Sequence, residues 1–267
     1  MIGDNTDRSW EKLGRQDPYY GVLTDEKFRS SKLDAGARQE FFASGSVHMA
    51  ELLQRIETTL GPVARGRALD FGCGVGRLAI PLRRDVGFAE VVGVDISESM
   101  LHEARRNAQE AGLGQICFVP SDDELSRIDG AFDFVHSFIV LQHIPVVRGE
   151  VIVGQLVKRL APGGVAALQM PFARRSGPLR SLANYTRVHV RPLHMLGNVV
   201  QGRPWNEAPM QMNHYDLNRL FVILHECGLA RVTVEFMDDG GNIGAYLLLR
   251  RPASERSDSA TKTADYP

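Results

Sequence analysis

The sequence predicts an α/β fold: a seven-stranded, mostly parallel sheet with helices on both faces and an antiparallel last strand. An N-terminal helical cap precedes the sheet, and a lid insertion follows strand five. Three observations predict this. Short continuous apolar runs alternate with helical segments from Arg67 onward, the signature of a parallel sheet covered on both faces. A glycine-rich turn separates the first run from its helix, and acids stand where successive runs end. The boundaries read as a cap over 1–60, a sheet domain over 61–252 with the lid at about 172–213, and a disordered polar tail over 253–267.

The elements follow in order. Phe41 to Leu60 carries apolar residues at helical spacing (Val47, Ala50, Leu53, Ile56, Leu60), and Gly61-Pro62 stops it. Ala68–Phe71 is the first strand, and a helix begins at Val75. Glu90–Asp95 is the second strand, followed by a helix over Ser97–Ala111 that Gly112 closes. Strands over 115–119 and 132–137 come next, then a helix over 150–160 and a strand over 165–170. A helix over 216–227 precedes two closely spaced strands, 231–236 and 244–249, which suit an antiparallel edge.

Composition narrows the function classes. Of 267 residues, 43 % are apolar and 24 % charged, with a net charge of -1, so no overall basic field exists to hold nucleic acid. Cys73, Cys117 and Cys227 are far apart and show neither a disulfide framework nor zinc spacing, which suits a reducing cytoplasm. The polar start lacks a secretion signal, and no apolar run approaches the ~20 residues that cross a bilayer. The expectation is a cytoplasmic protein with a small-molecule partner, no nucleic acid and no metal.

The loop Asp70-Phe71-Gly72-Cys73-Gly74-Val75-Gly76 leaves backbone bare for a ligand beside a helix N-terminus. Its third glycine comes one residue earlier than a dinucleotide fingerprint requires, and Arg77 stands in the fingerprint's glycine place. Asp70 would repel a pyrophosphate but attract the ammonium of a methionine moiety. Asp95 ends the second strand, where a carboxylate accepts from two ribose hydroxyls. Met100, one turn into the next helix, is placed to pack on adenine, and Asp122, past the third strand, to accept from its amino group.

These residues resemble the class I, Rossmann-like S-adenosylmethionine-dependent methyltransferase family, in its bacterial small-molecule form. The likeness rests on Ala68–Arg77, Val92–Ser97, Phe132–Val135 and Leu160–Gly164, in the family's order over residues 67–170. It implies S-adenosylmethionine as cofactor, with S-adenosylhomocysteine as product. Gly72, Gly74 and Gly76 would lie along the cofactor and Asp95 would bind its ribose. Cys73, Ile96 and Ser137, at strand ends, join the expected contacts. Leu160–Gly164 looks like the turn before the fifth strand. A looser likeness in the cap sets Ser44-Gly45 near the methionine carboxylate. The family serves very many acceptors, so the fold does not give the substrate.

His143, just past the fourth strand, is the expected general base for a hydroxyl acceptor, with Gln142 beside it. The insertion carries Arg174, Arg175, Arg180, Arg187, Arg191 and Arg203, yet no Asp, Glu or Lys between Phe172 and Asn206. This reads as a lid for an anionic acceptor, with Tyr185, Arg187, Arg191 and His214 as substrate contacts and O-methylation favoured. Peripheral contact with an anionic membrane, or a solvated basic face, are the rival readings. A nicotinamide-dependent oxidoreductase and a non-catalytic cofactor-binding subunit are the alternative functions.

Overall fold

Five parallel strands form the body of the sheet: β1 (Arg67–Phe71), β2 (Glu90–Asp95), β3 (Cys117–Pro120), β4 (Phe132–Ser137) and β5 (Leu160–Arg174). With β6 (Val232–Asp239) and β7 (Asn242–Arg250) the order is β3-β2-β1-β4-β5-β7-β6. The computed structural model describes residues 6–175, 210–239 and 241–253. The reversed strand, β7, is wedged between β5 and β6 and is antiparallel to both.

The sheet differs from the sequence reading at β5. Leu160–Gly164 is no turn before the strand but a bulge inside it: Phe132 pairs with Leu160, and Phe134 already pairs with Val165. Gly163, at φ +78°, supplies the left-handed kink that this needs. The helix expected from Val75 starts later, as α4 (Ala79–Arg84), because Gly76 at φ +87° cannot continue a right-handed helix.

The pleat sorts β1 residues to two cores. Leu69 and Phe71 face α6 (Val146–Lys158) and α7 (Leu217–Glu226), with Ile152, Leu156, Leu220 and Leu224 packed on them. Ala68 faces the other side, where α3 (Ala35–Leu60), α4 and α5 (Glu98–Glu110) contribute Leu52, Ile56, Leu82 and Leu101. Each such side chain, enclosed fully, stabilises the fold by about 1.5–3 kcal/mol.

The cap has α1 (Thr6–Gln16) and α2 (Pro18–Val22) ahead of α3. α3 begins earlier than its apolar spacing indicates, because the Asp34 side chain caps it by accepting from Ala37 N. Glu11 of α1 accepts from Ser97 Oγ at 2.8 Å and Ser99 N at 3.2 Å, which seats a carboxylate at the N-terminus of α5. Burial opposes that charge, but the bonds from Ser99 and Ser97 outweigh it and hold the Glu11 pKa down to about 2. The Tyr19 hydroxyl lies 2.8 Å from both Glu103 Oε1 and Asn107 Oδ1, tying α2 to the same helix.

Candidate active site

The parallel strands point their C-terminal ends at one cleft, lined by the ends of β1 and β2, the turn after β4 and helix α1. The glycine loop forms its floor. Gly72 and Gly74 have φ of +73° and +52°. A Cβ at Gly72 would sit 2.3 Å from a Val140 methyl carbon, and one at Gly74 2.6 Å from Val22, so side chains would close the cradle. Gly76 turns the chain behind the cleft, against Ile80 and Phe118.

Asp95 ends β2 inside the cleft. One oxygen accepts from Gly74 N and the other from Ser97 N, both at 2.9 Å. Each oxygen keeps a second lone pair, so two ligand hydroxyls can bind without displacing the loop. Burial raises this carboxyl to a pKa of about 6, and the two N–H groups only partly offset that. Met100 and Ile96 supply an apolar wall next to it.

α1 forms part of the cleft itself, through Thr6, Asp7 and Trp10. Arg148 of α6 fastens it there, donating to Asp7 Oδ1 at 2.9 Å and to Asp123 Oδ2 at 2.8 Å. Asp122 also lines the cleft, but its oxygens accept from Ser126 N at 2.9 Å and Ser126 Oγ at 2.5 Å. Those bonds hold its carboxyl below the usual carboxylate range.

His143 sits on a 3₁₀ turn after β4 and lines the cleft with its ring tilted on Trp10, centroids 4.9 Å apart. Its Nδ1 lies 2.7 Å from the Gln211 carbonyl, so the proton belongs on Nδ1 and Nε2 keeps its lone pair. The Gln142 amide faces that Nε2 at 3.3 Å. Burial pushes the imidazole down to a pKa of about 4, despite the carbonyl, so the ring is neutral at pH 7.

Behind the glycine loop, Asp70 is 2 % exposed, with Oδ1 3.2 Å from His136 Nδ1 and Oδ2 unpartnered. Asp70 and Arg77 both line the cleft. Ser44 and Gly45 meet the same arginine: Ser44 Oγ accepts from Arg77 Nη1, and Gly45 packs on the Arg77 carbonyl.

The structure thus gathers Asp70, Gly72, Cys73, Gly74, Asp95, Ile96, Met100, Asp122 and His143 on one cleft. Ser137 and Gln142 are enclosed beside it and do not line it. His214 is not brought there: its Nε2 pairs with Asn242 Oδ1 at 3.0 Å beside a separate surface hollow. Tyr185, Arg187 and Arg191 lie outside the described residues. Trp10, Asp7 and Arg77 are cleft residues that the sequence reading did not assign. Among the described residues, no cluster of three His, Cys, Asp or Glu is arranged for a metal ion, and no helix is long and apolar enough to cross a membrane.

A sheet of this order, with a glycine loop after β1 and an acid ending β2, is the Rossmann-like methyltransferase fold. Residues 68–164 match the family model described as a methyltransferase domain. A 23S rRNA (uracil-C5) methyltransferase from Shewanella halifaxensis is 34 % identical over 107 residues, 40 % of this chain and 22 % of that protein. The trans-aconitate 2-methyltransferase of Methylobacterium radiotolerans is 36 % identical over 123 residues, 46 % of this chain and 43 % of that protein. The chain therefore matches less than half the length of either relative. In structure it is similar to the S-adenosylmethionine-bound magnesium protoporphyrin IX methyltransferase of Synechocystis PCC 6803, at TM-score 0.56 and 18 % identity, over 94 % of this chain and 99 % of that one.

The cleft fits the cofactor that the class uses. Bare backbone at Gly72 and Gly74, the acceptor oxygens of Asp95 and the Met100 wall would suit, in turn, its chain, diol and base.

Proposed function

We propose that the protein is an S-adenosylmethionine-dependent methyltransferase whose acceptor is a small, anionic molecule methylated on oxygen. The observation that carries this reading is the meeting of the glycine loop, Asp95 and a neutral His143 in one cleft. When bound, the sulfonium cofactor supplies an already activated methyl group. The protein's task is alignment, and placement alone contributes up to roughly 7–11 kcal/mol.

The chain's own residues divide that task. The loop and Asp95 hold the nucleotide, while α1, fastened by Arg148, narrows the mouth and excludes water. His143 offers Nε2 as a proton acceptor, and the long Gln142 contact is easily exchanged for an acceptor hydroxyl. A base this weak takes protons only from acidic hydroxyls such as enols and phenols, whereas a carboxylate acceptor, already ionised at neutral pH, needs only to be positioned. The small carboxylate named for the Methylobacterium relative supports the same chemistry.

Calorimetry tests the cofactor. Micromolar binding of S-adenosylhomocysteine, with NADH inert, is expected; the reverse preference would make the cleft a nicotinamide site. For the acceptor, a panel of small carboxylic acids and carboxylate-bearing phenols and enols is assayed with S-adenosylmethionine. On an active phenol or enol, His143→Gln should lower kcat by about 10²–10⁴ with cofactor affinity unchanged. Because the depressed pKa keeps the free imidazole neutral until pH nears 4, wild-type kcat/KM for the acceptor, measured with S-adenosylmethionine held saturating at every pH, should stay level from pH 7.5 to about 5 and fall below that. An acid limb near ~6.5, the ordinary histidine value, would rule out the buried base.

A further inference from the structure

α1 is a polar helix, and Trp10 is its one aromatic residue. The indole is half-buried: part of it packs on the apolar cluster of the cap, which includes Tyr19 and Met100, and part lines the cleft. Its ring stands 4.9 Å from that of His143, tilted by 57°. A molecule that offers a hydroxyl to His143 therefore arrives beside the indole. The neighbouring lining is apolar as well, through Ile139, Val140, Ile144 and Ile152. Arg148, on the same helix as Ile152, directs its Nε and both Nη groups to Asp7 and Asp123, so two carboxylates match its charge.

Ile139 carries a second sign. A β-branched residue at φ +60° is sterically costly, whereas glycine takes that conformation freely. The turn is held by Gln169 of β5, fully buried, whose Oε1 accepts from Ile139 N at 2.9 Å. Costly backbone of this kind clusters at ligand clamps, and Ile139 is on the cleft wall. Two demands then fall on one molecule. The walls favour an apolar body, and the weak base at His143 favours an acidic hydroxyl. An aliphatic carboxylate meets neither, since its charge would lose hydration against these side chains and it has no proton to give.

We propose that Trp10 and Ile139 form a ring subsite beside His143, and that the acceptor is a phenol whose aromatic ring lies against the Trp10 indole. This rests on the methyltransferase reading above and narrows its acceptor to aromatic hydroxyls, apart from the aliphatic carboxylates. Trp10 becomes the specificity-determining residue, because an offset or edge-to-face ring contact rewards an aromatic body over a saturated one of equal size.

The test uses the full chain loaded with S-adenosylhomocysteine and labelled with fluorotryptophan. The chain has two tryptophans, so Trp205→Phe assigns the fluorine resonance of Trp10. Salicylate, catechol and p-coumarate are titrated against cyclohexanecarboxylate, which has no aromatic ring. At least one phenol should shift the Trp10 resonance saturably through its ring current, and cyclohexanecarboxylate should not. By calorimetry, Trp10→Leu should weaken that phenol about tenfold and leave S-adenosylhomocysteine within about twofold. Ile139→Gly, which suits the backbone and so keeps the fold, should also weaken the phenol and spare S-adenosylhomocysteine. A Trp10 resonance that no phenol moves, or cyclohexanecarboxylate bound as tightly as the best phenol, would overturn the subsite. So would a Trp10→Leu protein that lost S-adenosylhomocysteine and phenol equally, which would give the indole to the cofactor or the fold. Methyl transfer to an aliphatic carboxylate, indifferent to both substitutions, would remove the subsite and leave the methyltransferase reading standing. A wild-type protein that did not bind S-adenosylhomocysteine would instead refute the cofactor reading itself.

Discussion

Gly45→Ala should lower the thermal midpoint by about 2–4 °C, although alanine is the better helix former. Gly45 lies in the body of α3, where the substitution ordinarily adds up to about 1 kcal/mol. Here the new Cβ would meet the Arg77 carbonyl oxygen at 2.2 Å. A backbone oxygen cannot rotate away, so helix and loop must separate, and overpacking of this kind costs about 1–3 kcal/mol. The clash wins. Because the displaced atom adjoins the glycine loop under the cleft, affinity for S-adenosylhomocysteine should fall as well if that loop holds the cofactor as proposed. Gly36→Ala, in the first turn of the same helix, is the matched control. Its Cβ meets only Asp34 Oδ1, at 3.4 Å, so it should be neutral or raise stability by about 0.5 kcal/mol. Opposite signs for the two substitutions would establish the contact; equal behaviour would remove it as a reason for glycine at 45.

The second large effect concerns Asp95. Burial sets its carboxyl near pH 6 in the free protein. Ribose hydroxyls donate to the ionised form, so binding favours loss of the proton. Affinity should therefore be level above pH 6 and weaken about tenfold per pH unit below it. Asp95→Asn should bind about 100-fold more weakly at pH 7.5 and lose that pH dependence. Titrations of S-adenosylhomocysteine between pH 5 and 8 report both. A wild-type affinity that did not change over this range would show that the carboxylate is already ionised, or is no part of the diol site.

The parts of the site legible in the sequence are those that local backbone needs determine. Gly72 and Gly74 are read from the glycines that a strand-to-helix turn needs, and Asp95 from its place where β2 ends; Gly76, expected along the cofactor, instead turns the chain behind the cleft. The parts that were not legible depend on chain segments far apart. Nothing near Glu11 announces that it reaches Ser97, 86 residues on, or that Trp10 meets His143. Arg77 read only as a glycine missing from another fingerprint, because its burial depends on α3 packing across the loop. His214 was assigned by its nearness to the helix after the insertion, but β7, wedged beside β5, supplies Asn242 as its partner. The bulge at Leu160–Gly164 looked like a turn because glycine signals both, and only the pairing of Phe132 and Phe134 distinguishes them.

The reversal of β7 gives the two sides of the domain different uses. β7 runs away from the cleft and ends at Arg250, opposite Val165 near the start of β5, where Arg250 donates to the Gly61 and Pro62 carbonyls. Thr6 and Asp7, by contrast, line the cleft mouth. A fluorophore, affinity tag or surface tether joined after Pro252 would leave the domain by its closed base, clear of ligand traffic. The same attachment ahead of Thr6 would hang over the entrance and report on, or obstruct, every molecule that passes.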